Sequence, residues 1–316
     1  MEQFNTVLKI IIPVFLALFF GNFSKHKKII TGAGIEGLKS FVVNFALPVA
    51  LFRAFASIDY STDMVISVAV IFLACGTAFL LGFMLLKMFP ELPQMLPFLI
   101  TCTEAGMLGF ALFSLLFGIE KLHFVAQAAL GCDIFVFTIY SAILRSRSGK
   151  GGARVVLSSM VSSPIFIAIV LGIISGASGA FVMLMQQGIG EIFGGILDLF
   201  ASPITFVMLF VVGFSIDLSA NNLKKALIIS GIRIVVMGTL CVLVLLVLNQ
   251  LIAIEGHLMW AIILLFSLPG PYILPVLVDN ENDQSFASTA LSVHMLVSIG
   301  IFSIIATLTV GLQIPL

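Results

Sequence analysis

The sequence predicts an all-α integral membrane protein of ten transmembrane helices, arranged as two inverted five-helix repeats over residues 1–150 and 151–316. Three observations carry that expectation. Of the 316 residues, 60% are hydrophobic and only 9% charged, against about 25% charged in soluble domains. The apolar residues gather into ten segments near the ~20 residues that a helix needs to cross the hydrocarbon core, at about 5–23, 38–57, 64–87, 95–117, 122–144, 157–177, 194–216, 224–249, 257–278 and 286–311. Finally, these segments divide at the basic, Gly-rich connection Arg145-Ser146-Arg147-Ser148-Gly149-Lys150-Gly151-Gly152. Five spans on each side is an odd number, so the two halves must face opposite ways, as in many secondary transporters.

In the first span Lys9 precedes the apolar run Ile10 to Phe20, which resembles a signal peptide, but the small-residue cleavage pattern is missing. The basic stretch Lys25-His26-Lys27-Lys28 follows as a stop-transfer flank, so the span is expected to be retained. Span two contains Phe45-Ala46-Leu47-Pro48 and ends Phe55-Ala56-Ser57-Ile58-Asp59. Span seven echoes it with Phe200-Ala201-Ser202-Pro203 and Phe214-Ser215-Ile216-Asp217, at the equivalent position of the second half. Span four is roughened by Pro97, Thr101, Thr103 and Glu104, and span five carries Asp133. Gly172, Gly176, Gly194 and Gly195 in spans six and seven read as close helix-packing positions. Span nine cannot be a continuous helix. Its core Ser267-Leu268-Pro269-Gly270-Pro271-Tyr272-Ile273-Leu274-Pro275 holds three prolines, each of which removes an amide donor and clashes with the preceding turn. Broken backbone at membrane depth persists only where it is buried in protein or lines a wet cavity, so the break marks a binding site.

The connections after spans one, three, five and seven hold Lys25, Lys27, Lys28, Lys39, Lys87, Arg145, Arg147, Lys150, Arg154, Lys224 and Lys225, whereas the opposite connections hold little beyond Lys121. By the positive-inside rule both termini lie outside the cytoplasm. The acidic loop Asp279-Asn280-Glu281-Asn282-Asp283 falls on the cytoplasmic side, but acidic residues weigh little in that rule. Cys75, Cys102, Cys132 and Cys241 lie inside apolar segments without CxxC spacing, so no disulfide framework and no metal site is expected. They read as buried small apolar residues. No nucleotide-binding motif of the GxxxxGK[ST] type and no HExxH motif occurs, which argues against an ATP-driven pump and against an intramembrane enzyme. No cofactor and no nucleic-acid partner is expected.

Taken in order, several segments resemble the auxin efflux carrier family, the group of bacterial organic-anion permeases and plant auxin exporters. They are Asn44-Phe45-Ala46-Leu47-Pro48, Ser163-Pro164-Ile165-Phe166-Ile167-Ala168-Ile169-Val170-Leu171-Gly172, Pro203 with Val212-Gly213-Phe214, and Leu268-Pro269 followed by Phe286-Ala287-Ser288-Thr289-Ala290. The similarity runs the length of the chain, without the large central loop of many plant members. It implies that helices four and nine are both broken and cross near the substrate site, and that the substrate is a carboxylate, on bacterial analogy a dicarboxylate such as malate or malonate. It also implies a cytoplasmic-membrane secondary transporter working by alternating access, with scaffold spans that could also form a homodimer. Half-helix N-termini expose amides and the positive end of the dipole, which suits an anion. The chain departs from the family pattern where Glu104 stands for a common Asn, Ala111 for a Pro and Ser163 for an Asn. The break in span four therefore rests on Gly106 and Gly109.

Ionisable groups at membrane depth cost about 2.5–3.5 kcal/mol on insertion scales and are functional candidates by default. Glu104 is read as a group that binds a proton or a cation during transport, and Asp133 as a second coupling site or the partner of a base. H⁺ is the first reading for the coupling ion and Na⁺, as in bile-acid-type symporters, the alternative; a channel or sensor of the same fold is the rival class. Substrate contacts are expected from Asn44, Arg53, Glu104, Gly106, Gly109, Pro269, Gly270, Pro271 and Tyr272, Arg53 offering a fork of donors to a carboxylate. Gln127 is a weaker candidate of the same kind. Arg233 is expected to snorkel to an interface, and His294 to be a satisfied interior histidine.

Overall fold

A computed structural model describes residues 2–58, 60–147, 163–188, 190–278 and 280–312. The expected boundary between the repeats, the connection from Ser148 to Gly152, Asp59 and Asp279 lie outside them. The regular structure of the described residues is helical: α1 (Glu2–His26), α2 (Gly32–Ala56), α3 (Thr62–Met88), α4 (Leu96–Leu99), α5 (Phe110–Phe117), α6 (Ile119–Leu144), α7 (Pro164–Ala177), α8 (Ala180–Met185), α9 (Gly190–Phe214), α10 (Ala220–Leu251), α11 (Gly256–Ser267), α12 (Leu274–Leu277) and α13 (Glu281–Gly311).

Seven of these, α1, α2, α3, α6, α9, α10 and α13, are long and apolar enough to cross a bilayer. The three other expected spans take different forms. The described part of the sixth is the 14-residue helix α7, and the fourth and ninth are interrupted. Helix starts follow side-chain capping. Thr31, Ser61 and Asn280 each accept a backbone N–H from the first turn of α2, α3 and α13, satisfying a donor that a helix leaves orphaned. Span two therefore begins at Gly32, six residues before its apolar core.

Both copies of the Phe-Ala-X-Pro echo interrupt their helix. In α2 the turn before Pro48 is a π segment, Val42–Ala46. In α9 a turn at Ser202 and Pro203 separates two helical pieces. A proline withholds one amide from the ladder, and the two copies resolve that deficit differently.

Helices approach closely through glycines. A Cβ on Gly213 of α9 would fall on the carbonyl of Leu18 in α1, and one on Gly21 of α1 would fall on the carbonyl of Phe210 in α9. In the same way Gly172 and Gly176 of α7 face the backbone of Phe52, Phe55 and Ala56 in α2. Span one packs on span seven and span six on span two, and α3 packs on α6 as α10 packs on α13. Around this core Phe15, Phe19, Leu73, Leu80, Val235 and Leu246 are exposed, the surface that a lipid-facing perimeter requires. α4 is clamped by aromatic rings: Phe98 lies edge-on to Phe79 of α3 at 5.3 Å and to Tyr140 of α6 at 5.2 Å. The Tyr140 hydroxyl donates to the Phe98 carbonyl at 3.1 Å.

Candidate functional site

Two breaks meet in the interior. In span four the helix stops at Leu99 and resumes through a π segment, Ala105–Gly109, that leads into α5. In span nine α11 ends at Ser267 and α12 starts at Leu274. Six residues, Leu268 to Ile273, make the second break. The chains touch there because glycines permit it: a Cβ on Gly109 would lie 2.7 Å from Cδ1 of Leu268, and one on Gly270 would lie 3.4 Å from the carbonyl oxygen of Leu99.

Interrupted helices leave backbone groups that must find partners in a medium without water. Here the breaks satisfy each other. The Glu104 N–H donates to the Pro269 carbonyl at 2.9 Å, and the Tyr272 N–H donates to Oε2 of Glu104 at 2.9 Å. Glu104 thus holds span nine both by its backbone and by its carboxyl group. Arg233 of α10 takes the orphaned carbonyls. Its Nη1 donates to Leu99 O at 2.8 Å, and its Nη2 donates to Cys102 O and to Leu268 O at 2.7 Å. One guanidinium therefore ties the ends of both half-helices, a task for which its planar fork of donors is suited.

This corrects the snorkelling expectation. Arg233 is only 4% exposed and stands 13 residues into a 32-residue helix, roughly 20 Å along the axis, beyond the reach of its side chain to an interface. The expectation of a dipole-lined anion cradle is also modified. α12 has four residues, too few for a useful dipole, and the Tyr272 amide at the crossover is already taken by the Glu104 carboxyl group.

Two cavities flank the crossover. The first, about 140 Å³, is lined by Leu47, Leu51, Thr103, Glu104, Gly106, Asp133, Val136, Phe137 and Pro271, among others. It brings Glu104 and Asp133 into the lining of one chamber. Its walls adjoin three π segments, Val42–Ala46, Ala105–Gly109 and Val136–Tyr140, irregularities that recur at functional sites. The second cavity, about 220 Å³, is lined by Lys39, Val212, Ser215, Tyr272, Pro275, Ser288, Leu291, Ser292 and Met295. Lys39, whose ammonium lies 3.9 Å from Glu36, brings a positive charge to this cavity, and the hydroxyls of Ser215, Ser288 and Ser292 donate to helix carbonyls one turn back. Tyr272 belongs to both arrangements, donating its amide to Glu104 and lining the second cavity.

The expected residues are thus partly gathered. Glu104, Gly106, Pro271 and Asp133 line the first cavity and Tyr272 the second, while Gly109, Pro269 and Gly270 shape the crossing itself. Asn44 and Arg53 line neither cavity. The exposed Asn44 donates back one turn to the carbonyl and the hydroxyl of Ser40, at 2.9 and 3.0 Å. Arg53 is ion-paired with Asp198 of α9. Gln127 donates to Ser67 Oγ at 2.9 Å, pinning α6 to α3. His294 is 2% exposed, and neither ring nitrogen has a hydrogen-bond partner among the described residues, so it is not the satisfied histidine expected. It lines a third, largely apolar cavity of about 340 Å³ with Ser230 and Arg233. Lys39, Ser215, Ser288 and Ser292 were not singled out by sequence reasoning. The signal available for the serines was the i, i+4 spacing of Ser288 and Ser292, which puts both on one face of α13.

A profile described as membrane transport protein matches residues 6–306. No curated protein matches the chain.

Proposed function

The chain belongs to this family of membrane transport proteins, the auxin efflux carrier family, and on that premise we propose that it is a secondary carrier of a small organic anion, coupled to protons through Glu104. It is a multi-pass membrane transporter and not an enzyme. The finer reading rests on one observation above all. Tyr272 donates its amide to the Glu104 carboxyl group in the crossover and is also one of the residues lining the Lys39 cavity.

The chemistry follows from that link. A charge-assisted hydrogen bond is roughly twice as strong as a neutral one, so a proton arriving at Glu104 weakens its hold on Tyr272 and frees span nine to shift. Asp133, in the same chamber, offers a second place for the proton. The substrate belongs in the other cavity. Lys39 neutralises a carboxylate there, and Ser215, Ser288 and Ser292 reach the remaining oxygens by turning their hydroxyls away from the helix carbonyls that they hold in this state. Its 220 Å³ is below the about 300–1,000 Å³ typical of drug-sized ligands, which favours a metabolite of a few carbons such as malate or malonate. Separate acidic and basic chambers joined by one movable residue meet the requirement of alternating access, that each ligand act differently on the two states.

Sodium is the second reading for the coupling ion, favoured by the pair of carboxyl groups, since hard cations take oxygen ligands. Counterflow in proteoliposomes separates these possibilities. Vesicles preloaded with unlabelled malate or malonate should accumulate labelled substrate saturably. Glu104→Gln should keep exchange yet lose uptake driven by a pH gradient, and Lys39→Ala should raise the half-saturating concentration about tenfold or more, the loss of a charged hydrogen bond worth about 1.5–3 kcal/mol. Uptake driven by Na⁺ and indifferent to pH would replace the proton with sodium. Absence of counterflow with every organic anion in folded protein would sink the carrier reading.

A further inference from the structure

Three of the four cysteines, far apart in sequence, come together. Cys75 of α3, Cys102 in the break of span four and Cys132 of α6 have their Sγ atoms all within 4.8 Å of one another. Each is almost fully buried, at 4%, 0% and 1% exposure. The chain is bent to achieve this, because Cys102 has a φ of 58°, in the left-handed region that a non-glycine residue seldom adopts. The position is further fixed by its neighbours. The Thr103 N–H donates to Cys132 Sγ at 3.3 Å, and the Cys102 carbonyl accepts from Arg233.

We infer that these thiols form a binding site for a trivalent thiophilic metalloid, with arsenous acid as the simplest ligand. Three sulfurs about 2.3 Å from a common centre lie at most about 4 Å apart, and closer when the centre is pyramidal; these lie within 4.8 Å of one another, so a small inward turn of the thiols completes the site. Soft ions select thiolate ligands, and the choice among them follows from ligand number and charge. Zinc and cadmium favour four ligands, and the cluster brings three sulfurs. Copper(I) with three thiolates would carry two negative charges, more than the Arg233 guanidinium at the Cys102 carbonyl balances, and burying an uncompensated charge is costly. A trivalent centre bound by three thiolates is neutral and complete with three ligands.

The exchange balances. Each thiol gives its proton to one hydroxide of arsenous acid; three As–O bonds and three S–H bonds break, three As–S and three O–H bonds form, and three waters leave with no change of oxidation state. The route in is short, since Thr103 and Asp133, adjacent in sequence to Cys102 and Cys132, line the 140 Å³ cavity. Once bound, the centre braces the break in span four against α3 and α6.

The test is made on the whole protein, reduced, desalted without oxygen and incubated with arsenite. One arsenic per chain should survive a second desalting, and its X-ray absorption spectrum should show three sulfur neighbours and no oxygen. Cys75→Ala, Cys102→Ala and Cys132→Ala should each lower retention about tenfold or more, while Cys241→Ala should not. No retained arsenic, a centre with oxygen among its neighbours, retention unchanged in the three variants, or tighter retention of cadmium or copper(I) would each overturn the assignment. The spectrum of the unsubstituted protein decides the question even if a variant fails to fold.

Discussion

Arg233 closes the broken backbone of two spans with three hydrogen bonds. They go to carbonyls that find no backbone amide among the described residues, and a buried polar group left unsatisfied costs about 1–3 kcal/mol. Arg233→Met should therefore destabilise the protein by about 3 kcal/mol or more, read as a lower unfolding temperature in detergent, with Arg233→Lys intermediate because one ammonium cannot span the same fork. A variant as stable as the parent would mean that the breaks find other partners. At this scale the sequence was legible where a residue's oddity is local. Glu104, an acid in an apolar run, and the prolines of span nine announce themselves. Arg233 announces itself too, and its depth in the helix could have been counted. Partnership was not legible: nothing near Arg53 in sequence points to Asp198, and nothing near Cys75 points to Cys102 and Cys132.

The helices tell a similar story through their contacts. Apolar length identified most of the spans, yet which face of α9 meets α1 is decided by Gly213, against the Leu18 carbonyl. Without a strong hydrophobic drive between helices in lipid, close backbone approach supplies much of the association. Any side chain there must push the helices apart. Gly213→Ala should cost at least the about 1–3 kcal/mol of an overpacked core and lower the yield of folded protein, whereas Gly195→Ala, with nothing within 4 Å of the added carbon, should be silent. From the sequence Gly195 reads as a close-packing position and Gly213 does not; the structure reverses that order, because the face of an apolar helix that meets a neighbour is not marked in composition. Irregular segments were read with similar partial success. Prolines exposed the break in span nine, while the π segments Ala105–Gly109 and Val136–Tyr140 contain no proline, and of the two only the first carries glycines that point to it in the sequence.

Across the whole molecule the two halves repeat a pattern of partners: one with seven, six with two, three with five and eight with ten. If the halves are inverted repeats, each pair has its counterpart, and the glycine seams at Gly213 and at Gly172 are the same seam seen twice. That arrangement ties orientation to mechanism, because two halves of opposite sense place equivalent surfaces on opposite sides of the membrane. The charge distribution predicts which side is which. Lys25, Lys27, Lys28 and Lys87 belong to one side and Ser61 and Lys121 to the other, and the positive-inside rule assigns the lysine-rich side to the cytoplasm. Single cysteines at Lys27 and at Ser61, introduced where the native thiols are largely buried, make this measurable with a membrane-impermeant maleimide on intact cells. Ser61→Cys should label directly, and Lys27→Cys only after the membrane is opened. The reverse pattern would turn the molecule over and put Lys39, with its cavity, toward the outside. Labelling of both from outside would contradict a membrane crossing between them and, with it, the inverted-repeat arrangement.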